Sequence, residues 1–122
     1  ERVMVPAGYG RIVNFTSVSA LTGYPGAPDF AAAGGATAAL TKSVAREVMP
    51  FGITVNAIAP GFVETPFLDR MTEFSRSVTA ANIPMGRYGT PDEVVPAALM
   101  FVDPDNAYMT GQIVSPNGGL VI

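Results

Sequence analysis

Two residue types that carry much of enzyme chemistry are missing from this 122-residue sequence: it contains no cysteine and no histidine. The absence of cysteine excludes disulfides and thiolate chemistry. The absence of histidine removes the most frequent general base and the commonest metal ligand. We therefore expect no metal site, and any acid–base chemistry would have to use tyrosine, lysine, serine or carboxylate side chains.

Charged residues are also scarce, at 14% of the chain, and the formal net charge is −3. A chain with so few basic groups lacks the positive face that binds phosphate backbones, so we expect no nucleic-acid partner. No apolar run reaches the roughly 18 residues of a membrane span, and the first residues lack the basic-then-apolar pattern of a signal peptide. The sequence predicts a soluble, cytoplasmic protein with no membrane partner.

What the sequence does contain is enough apolar material for one core, since 48% of its residues are hydrophobic. The runs Gly10–Ser17 and Gly52–Pro60 are continuously apolar and rich in β-branched residues, which is typical of strands buried on both faces of a parallel sheet. Between them the pattern predicts a helix with Asp29 as N-cap that runs to about Pro50. A third strand is expected at about Gln112–Ser115.

Two further helices follow from local signals. Residues Pro66 to about Ala80 have the apolar spacing of a short amphipathic helix. Thr90 to Glu93 form a capping box with Pro91 at the first helical position, while Pro96 should kink the helix that follows. No internal repeat or linker interrupts the pattern, so residues 1–122 are interpreted as a single α/β unit with three parallel strands and flanking helices.

Four motifs in this order carry a resemblance to a known family: "GRIVNFTSVSALTGYPGAPDF", "REVMPFGITVNAIAPGFVETP", "GRYGTPDEV" and "YMTGQIVSPNGG". Together they resemble the carboxyl-terminal half of a short-chain dehydrogenase/reductase, nearest to the 3-ketoacyl-reductase-like members. The resemblance implies the second half of a doubly wound Rossmann-type parallel sheet. It also implies that the amino-terminal half, with the glycine-rich fingerprint that binds the dinucleotide, is missing from this chain.

The resemblance assigns roles to three positions. In the family, a tyrosine exchanges a proton with the substrate oxygen, a lysine four residues later holds the nicotinamide ribose and lowers the tyrosine pKa, and a serine thirteen residues earlier orients the substrate. By position, Ser17 matches the serine, Phe30 stands where the tyrosine is expected, and Gly34 stands where the lysine is expected. The resemblance thus makes Ser17 a vestigial site residue beside a degenerate catalytic pair.

The segment after the second predicted strand resembles the family loop that contacts the cofactor. In that loop the backbone at Val63 would contact the nicotinamide carboxamide, and the phosphates would lie near Thr65, with Pro60 and Gly61 at its start. The resemblance implies NAD or NADP as the cofactor, whereas Gly34 argues against its binding by this chain.

Three functions are consistent with this combination. The first is a subunit that is not catalytic on its own and supports an active partner in a hydroxyacyl or ketoacyl oxidoreductase assembly, as a homo- or hetero-oligomer. The second is a working NAD(P)-dependent oxidoreductase with another proton donor, such as Tyr24, or with engineered replacements. The third is a ligand-binding module that uses the residual pocket around Ser17, Tyr24 and Val63.

In the first of these functions, the family resemblance places partner contacts on the Ala/Gly-rich helix and the last strand. On that helix Ala32, Ala36, Ala39 or Leu40, Ser43 and Val44 form one stripe that permits close approach of another element. A first strand without a neighbour would be an open edge, so we also expect either the missing half or a partner chain to cover it.

Several residues have a structural interpretation beside the functional one. Ser17 can cap the loop after its strand, and Gly34-Gly35 can serve close packing at an interface. Lys42 lies about two helical turns, or roughly 12 Å, beyond Gly34, so a solvated or interface role is expected. The amphipathic segment Pro66–Ala80 fits a substrate lid and a partner-docking surface equally well.

Five polar positions are predicted to be structural. Asn56 and Asn117, near strand ends, are expected to satisfy backbone groups of neighbouring loops. Arg87 and the pair Asp92-Glu93 fit a helix start with local salt bridging.

Overall fold

The computed structural model describes residues 2–122, so Glu1, the first residue of the predicted unit, lies outside the described range. Two 3₁₀ segments, Met49–Phe51 and Pro66–Arg70, separate some of the regular elements. Those elements, in chain order, are α1 (Met4–Ala7), β1 (Gly10–Phe15), α2 (Ser19–Thr22), α3 (Pro28–Val48), β2 (Ile53–Ile58), α4 (Glu73–Ala81), α5 (Pro91–Val102) and β3 (Ile113–Val114).

The three strands form one parallel sheet in the order β1-β2-β3. Strand β1 pairs with β2 from Gly10 opposite Ile53 to Phe15 opposite Ile58. The short β3 pairs with the end of β2, at Ala57 and Ile58. Helices connect the strands and pack on the sheet, so the predicted α/β class with three parallel strands is confirmed.

Burial differs sharply between the two longer strands. Every residue of β2 is buried, as predicted, because it has a strand on each side and helices against its faces. Strand β1 is only half-buried over most of its length, and the Phe15 side chain is 60% exposed. Within the described residues β1 pairs with β2 alone, so the prediction that β1 is buried on both faces is wrong for this part of the chain.

Helix α3 begins at Pro28, two residues earlier than an N-cap at Asp29 would place it, and Asp29 is not its cap. The N-cap is Ala27, which makes no side-chain capping bond, and Pro28 occupies the first turn, where its fixed φ suits a helix start. Asp29 lies in that first turn, where its carboxylate interacts favourably with the helix dipole. The helix ends at Val48, close to the predicted end.

The buried side of α3 contains Thr41 and Ala45. The Thr41 hydroxyl accepts a hydrogen bond from Asn14 Nδ2 at 2.9 Å and donates one to the Thr37 carbonyl at 2.8 Å, which ties the helix to β1. The side that packs on the sheet is therefore not the predicted stripe. Most of that stripe is exposed, namely Ala32, Ala36, Ala39, Leu40 and Ser43, and Val44 is half-buried.

The predicted helix from Pro66 to Ala80 is two shorter elements. A 3₁₀ segment ends at Arg70, and α4 starts at Glu73 after an extended Thr72. Thr72 is the N-cap, and its Oγ1 accepts a hydrogen bond from the Ser75 N–H at 3.2 Å. A threonine that caps in this way must have a non-helical backbone, so the apolar spacing across it does not belong to one helix.

The capping box predicted for α5 is present, and an ion pair reinforces it. The Glu93 carboxylate accepts the Thr90 backbone N–H at 2.8 Å and receives both terminal nitrogens of Arg87, at 2.6 and 2.8 Å. Hydrogen bonds from Arg87 first, then from the Thr90 backbone, lower the pKa of Glu93 from 4.5 to about 2. The pair also raises the pKa of Arg87. Helix α5 remains one element across Pro96.

The two asparagines satisfy loop backbone groups, as predicted. Asn56 is buried in β2, where Nδ2 donates to the Met109 carbonyl at 2.9 Å and Oδ1 accepts the Gln112 N–H at 3.0 Å. Asn117 donates to the Val121 carbonyl and accepts the Gly119 N–H, both at 2.9 Å. Each side chain thereby fixes the course of the chain around β3.

The segments that follow β2 and β3 meet at Gly61. Its N–H donates to the Pro116 carbonyl at 3.0 Å, and a Cβ at this position would lie only 2.8 Å from the Cα of Asn117. Because the obstacle is backbone, a side chain at Gly61 would have to push the two segments apart.

We expect Gly61→Ala to lower the free energy of unfolding by about 1–3 kcal/mol through this overlap. Gly89→Ala is the matched control, since the nearest heavy atoms to a Cβ there are at 3.8 Å. The control should change stability by less than about 0.5 kcal/mol. Urea unfolding of the full-length protein measures both, and equal losses in the two variants would contradict the overlap.

The Arg87–Glu93 pair predicts a pH-dependent contribution to stability. The pKa of Glu93 is lower in the folded chain, so its contribution is complete above about pH 4.5 and is lost as the pH falls towards about 2. Both side chains are about half exposed, so high salt should weaken the effect. The difference in melting temperature between the protein and Glu93→Gln should shrink over this window. A difference that stays constant with pH would refute the prediction.

Candidate functional site

A groove with a volume of about 530 Å³ lies at the carboxyl ends of β1 and β2. Its walls come from the segments that follow these strands, from the start of α3 and from the 3₁₀ segment Pro66–Arg70. Ligands of open parallel sheets bind in crevices at this edge, because the connecting loops diverge there.

Most residues that the sequence assigned to a site line this one groove. They are Ser17, Phe30, Pro60, Gly61, Val63 and Thr65. Gly34 does not line the groove itself. Its carbonyl accepts a hydrogen bond from Thr16 Oγ1 at 2.9 Å, and Thr16 does line the groove.

The predicted cofactor loop, residues 60–65, is held by backbone hydrogen bonds to three other segments. These bonds run from Val18 N–H to the Pro60 carbonyl, from Gly61 N–H to the Pro116 carbonyl and from Glu64 N–H to the Gly89 carbonyl, at 2.9, 3.0 and 2.8 Å. A loop fixed on three sides presents its remaining backbone groups in a set direction. This geometry is a preformed surface rather than one that a ligand must order.

The Ser17 hydroxyl serves the local turn. Its Oγ accepts the Ser19 backbone N–H at 3.2 Å, which is the loop-capping arrangement considered for this serine. The hydroxyl proton of Ser17 has no acceptor within the described residues. Phe30, half exposed in the same groove, offers a ring that can neither donate nor accept a proton.

Aromatic rings form one side of the groove. The ring of Tyr24 lies 6.3 Å from that of Phe62 at an angle of 59°, and Phe62 meets Tyr88 edge to face at 6.0 Å. Tyr24 and Phe62 line the groove, whereas Tyr88 belongs to the core beneath, where its hydroxyl donates to the Arg76 carbonyl at 3.0 Å. Tyr24 thus shares the groove with Ser17.

Helix α4 is joined to the cofactor loop by an ion pair. Arg76 donates to the Glu64 carboxylate at 2.6 Å, and Glu64 lies between two groove residues of the loop. The apolar face of α4 stays open, with Phe74 78% exposed. A lid and a docking surface both remain consistent with this geometry.

The groove contains little charge. Asp29 is the one charged residue among those that line it, and no lysine or arginine of residues 2–122 does so. Lys42 is exposed and lies outside the groove lining. Within residues 2–122, the groove therefore offers no positive charge to hold a ribose phosphate or to stabilise an oxyanion.

Two other kinds of site are absent from residues 2–122. No group of three or more histidine, cysteine or acidic side chains in this range could hold a metal ion. None of the helices in the same range combines the length and apolar character that crossing a membrane requires.

A smaller cavity of about 360 Å³ shares Phe62 and Val63 with the groove. Its charged lining residues, Arg87 and Glu93, are paired with each other. Of the predicted site residues it contains Val63 alone, so the groove is the better candidate site.

Sequence reasoning missed part of the lining. Thr16, Asp29 and Phe62 line the groove, and each is next in the chain to a predicted site residue. Adjacency to Ser17, Phe30 and Val63 was the available signal, because consecutive loop residues at one sheet edge contribute to the same crevice.

Comparisons with known proteins agree with this geometry. Residues 1–121 match the family model described as enoyl-(acyl carrier protein) reductase. The chain is 40% identical over 119 residues to the 3-oxoacyl-[acyl-carrier-protein] reductase FabG of Thermotoga maritima, covering 98% of this chain and 48% of that protein. The FabG of Vibrio harveyi is also 40% identical over 119 residues, with 98% and 49% covered.

A solved structure agrees as well. The crystal structure of YwfH, described as an NADPH-dependent reductase involved in bacilysin biosynthesis, superposes with a TM-score of 0.89 at 25% identity. The superposed region covers 98% of this chain and 50% of the YwfH chain. The chain thus spans about half the length of the relatives that it matches. Together, the match to the family model, the reductase relatives and the structural superposition show that this chain belongs to the short-chain dehydrogenase/reductase family.

Proposed function

We propose that this chain is part of a catalytically degenerate short-chain dehydrogenase-type subunit, which supports an active partner subunit in a cytoplasmic ketoacyl or hydroxyacyl oxidoreductase assembly. The observation that carries the proposal is the pair Phe30 and Gly34. These residues occupy the positions where the family resemblance expects the phenol and the amine.

The chemistry of carbonyl reduction explains why this pair matters. When a hydride adds to a ketone carbon, the oxygen becomes an alkoxide and must receive a proton from a positioned acid. Phe30 has no ionisable proton, Gly34 has no side chain, and no cation among the described residues lines the groove to stabilise the alkoxide. Ser17 can offer a hydrogen bond to that oxygen, but its own pKa is too far from neutrality for it to replace a tyrosine–lysine pair.

Two observations support a role beside a partner. The scaffold around the groove is intact, since the cofactor loop is bonded on three sides and the asparagines near β3 are satisfied. The exposed stripe of α3, centred on Ala36 and Leu40, is a surface that another subunit can approach closely. We propose this stripe and β3 as the partner contacts, in a homo- or hetero-oligomer.

The test is turnover by the full-length protein purified without other subunits. With NADH or NADPH and an acetoacetyl thioester, we expect a rate at least about 10²-fold below that of an active family member, because positioned acid–base catalysis contributes about 10²–10⁴-fold. Ser17→Ala should lower this residual rate by no more than about tenfold, the effect of one lost hydrogen bond. Added full-length protein should raise the rate or stability of its active partner. Robust turnover by the protein alone that Ser17→Ala abolishes would overturn the proposal.

A second candidate is a working NAD(P)-dependent oxidoreductase in which Tyr24 supplies the proton. The observation that favours it is the position of Tyr24, which lines the same groove as Ser17 and the preformed cofactor loop. Binding of nucleotide without any turnover would instead favour a ligand-binding module.

Tyr24→Phe separates these candidates, with Tyr108→Phe as control because Tyr108 is fully exposed and does not line the groove. If Tyr24 is the donor, its substitution should lower turnover by about 10²–10⁴-fold without loss of the thermal stabilisation that NADPH confers. Unchanged turnover in Tyr24→Phe would exclude this role. Stabilisation by NADPH with no turnover in either variant would identify the binding module.

A further inference from the structure

We propose that Ala20 and Thr16 are positioning residues that fill the space in which a side chain at position 34 would begin. The degenerate site then lacks both the lysine and the room for one. The inference rests on the proposed function, because it concerns the position at which the family resemblance expects the cofactor-anchoring amine. Ala20 and Thr16 determine whether any side chain can extend from α3 at position 34.

The space above Gly34 is already filled. A Cβ at Gly34 would lie 3.1 Å from the Ala20 Cβ and 3.1 Å from Thr16 Oγ1, and only 3.7 Å from the Ala20 Cα. Contacts this short between a Cβ and a neighbouring atom require the neighbour to move. Every side chain other than hydrogen, lysine included, begins with that Cβ.

Neither neighbour is free to move. Thr16 Oγ1 donates to the Gly34 carbonyl at 2.9 Å, so rotating the hydroxyl away breaks a hydrogen bond. The Ala20 methyl is attached directly to the backbone of α2, whose N–H at this residue donates to the Ser17 carbonyl at 2.9 Å. Making room at Gly34 therefore means shifting α2, and with it the turn that positions Ser17.

The adjacent glycine shows that the constraint is local. A Cβ at Gly35 would meet no heavy atom within 4 Å. Both glycines lie inside α3, and both are half-buried. They differ in what they face, so Gly35 is a matched control for every substitution at Gly34.

This geometry has a consequence for attempts to restore the family chemistry. Phe30→Tyr with Gly34→Lys supplies the two missing groups. The Cβ of the lysine, however, overlaps Ala20 and Thr16, and making room for it displaces Ser17. Ala20→Gly removes the atom at 3.1 Å and leaves the Thr16 hydrogen bond in place. The triple variant should thus bind nucleotide more tightly than the double variant does.

The first test is a stability cycle in the full-length protein. Replacing a helical glycine by alanine is ordinarily stabilising, so Gly35→Ala should raise the melting temperature by about 2–4 °C in a domain of this family's size. Gly34→Ala should give no increase, or a decrease, in the wild-type background, and should give an increase when Ala20→Gly is also present. A Gly34→Ala variant as stabilised as Gly35→Ala would overturn the inference.

The second test measures NADH binding at the groove through the fluorescence of NADH. Binding by Phe30→Tyr/Gly34→Lys should be at least about tenfold weaker than binding by the same variant with Ala20→Gly, the loss expected when one charge-assisted hydrogen bond is misplaced. Adding Ala20→Gly to the wild type, which has no amine to place, should not change binding. Equal affinities in the double and triple variants overturn the inference.

The two proposals fail separately. Turnover by the wild-type protein alone would overturn the proposed function while the stability cycle still reports the overlap at Gly34. A stability cycle without coupling between positions 20 and 34 would overturn the inference and leave the proposed function standing.

Discussion

The complete burial of β2 is the constraint on which the rest of this structure depends. A strand with no exposed residue needs hydrogen-bonded neighbours on both edges and apolar cover on both faces, and β1, β3, α3 and α5 supply these. Its one strongly polar side chain, Asn56, is tolerated because both ends of the amide are bonded. The parallel pairing that results brings the carboxyl ends of the strands to one edge, and the groove is a product of that alignment.

Prediction from sequence succeeded where local chemistry and periodicity point the same way. The apolar run of β2 and the capping box at Thr90 are of this kind, because each depends on few residues close in the chain. The structural role of Asn56 followed from residue type instead, because a buried amide needs hydrogen-bond partners even where these lie far along the chain. It failed where two local signals compete. Pro28 displaced Asp29 as the start of α3, and Thr72 interrupted an apolar spacing that continued across it. The burial of β1 could not be inferred from its own residues, since it depends on what lies beside the strand.

The groove shows the same division. Ser17, Phe30 and the loop of residues 60–65 were identified through motifs, and the structure places them along one crevice. The contact of Gly34 with Ala20 was not predictable, because nothing in the sequence states that two positions fourteen residues apart lie within van der Waals distance. Packing of this kind depends on the path of the chain rather than on residue type. For the same reason, a sequence can reveal that a group is missing but not whether its place has been filled.

The ion pair between Glu64 and Arg76 has a mechanical consequence. Glu64 lies between Val63 and Thr65, which both line the groove, and Arg76 lies in α4, where its own carbonyl accepts a hydrogen bond from the Tyr88 hydroxyl. If the loop moves farther than a hydrogen bond can stretch, either the ion pair breaks or α4 moves with the loop. The ion pair therefore couples occupancy of the groove to the orientation of α4. By thermodynamic reciprocity, a molecule that holds α4 in place also restrains the loop of residues 60–65 that lines the groove.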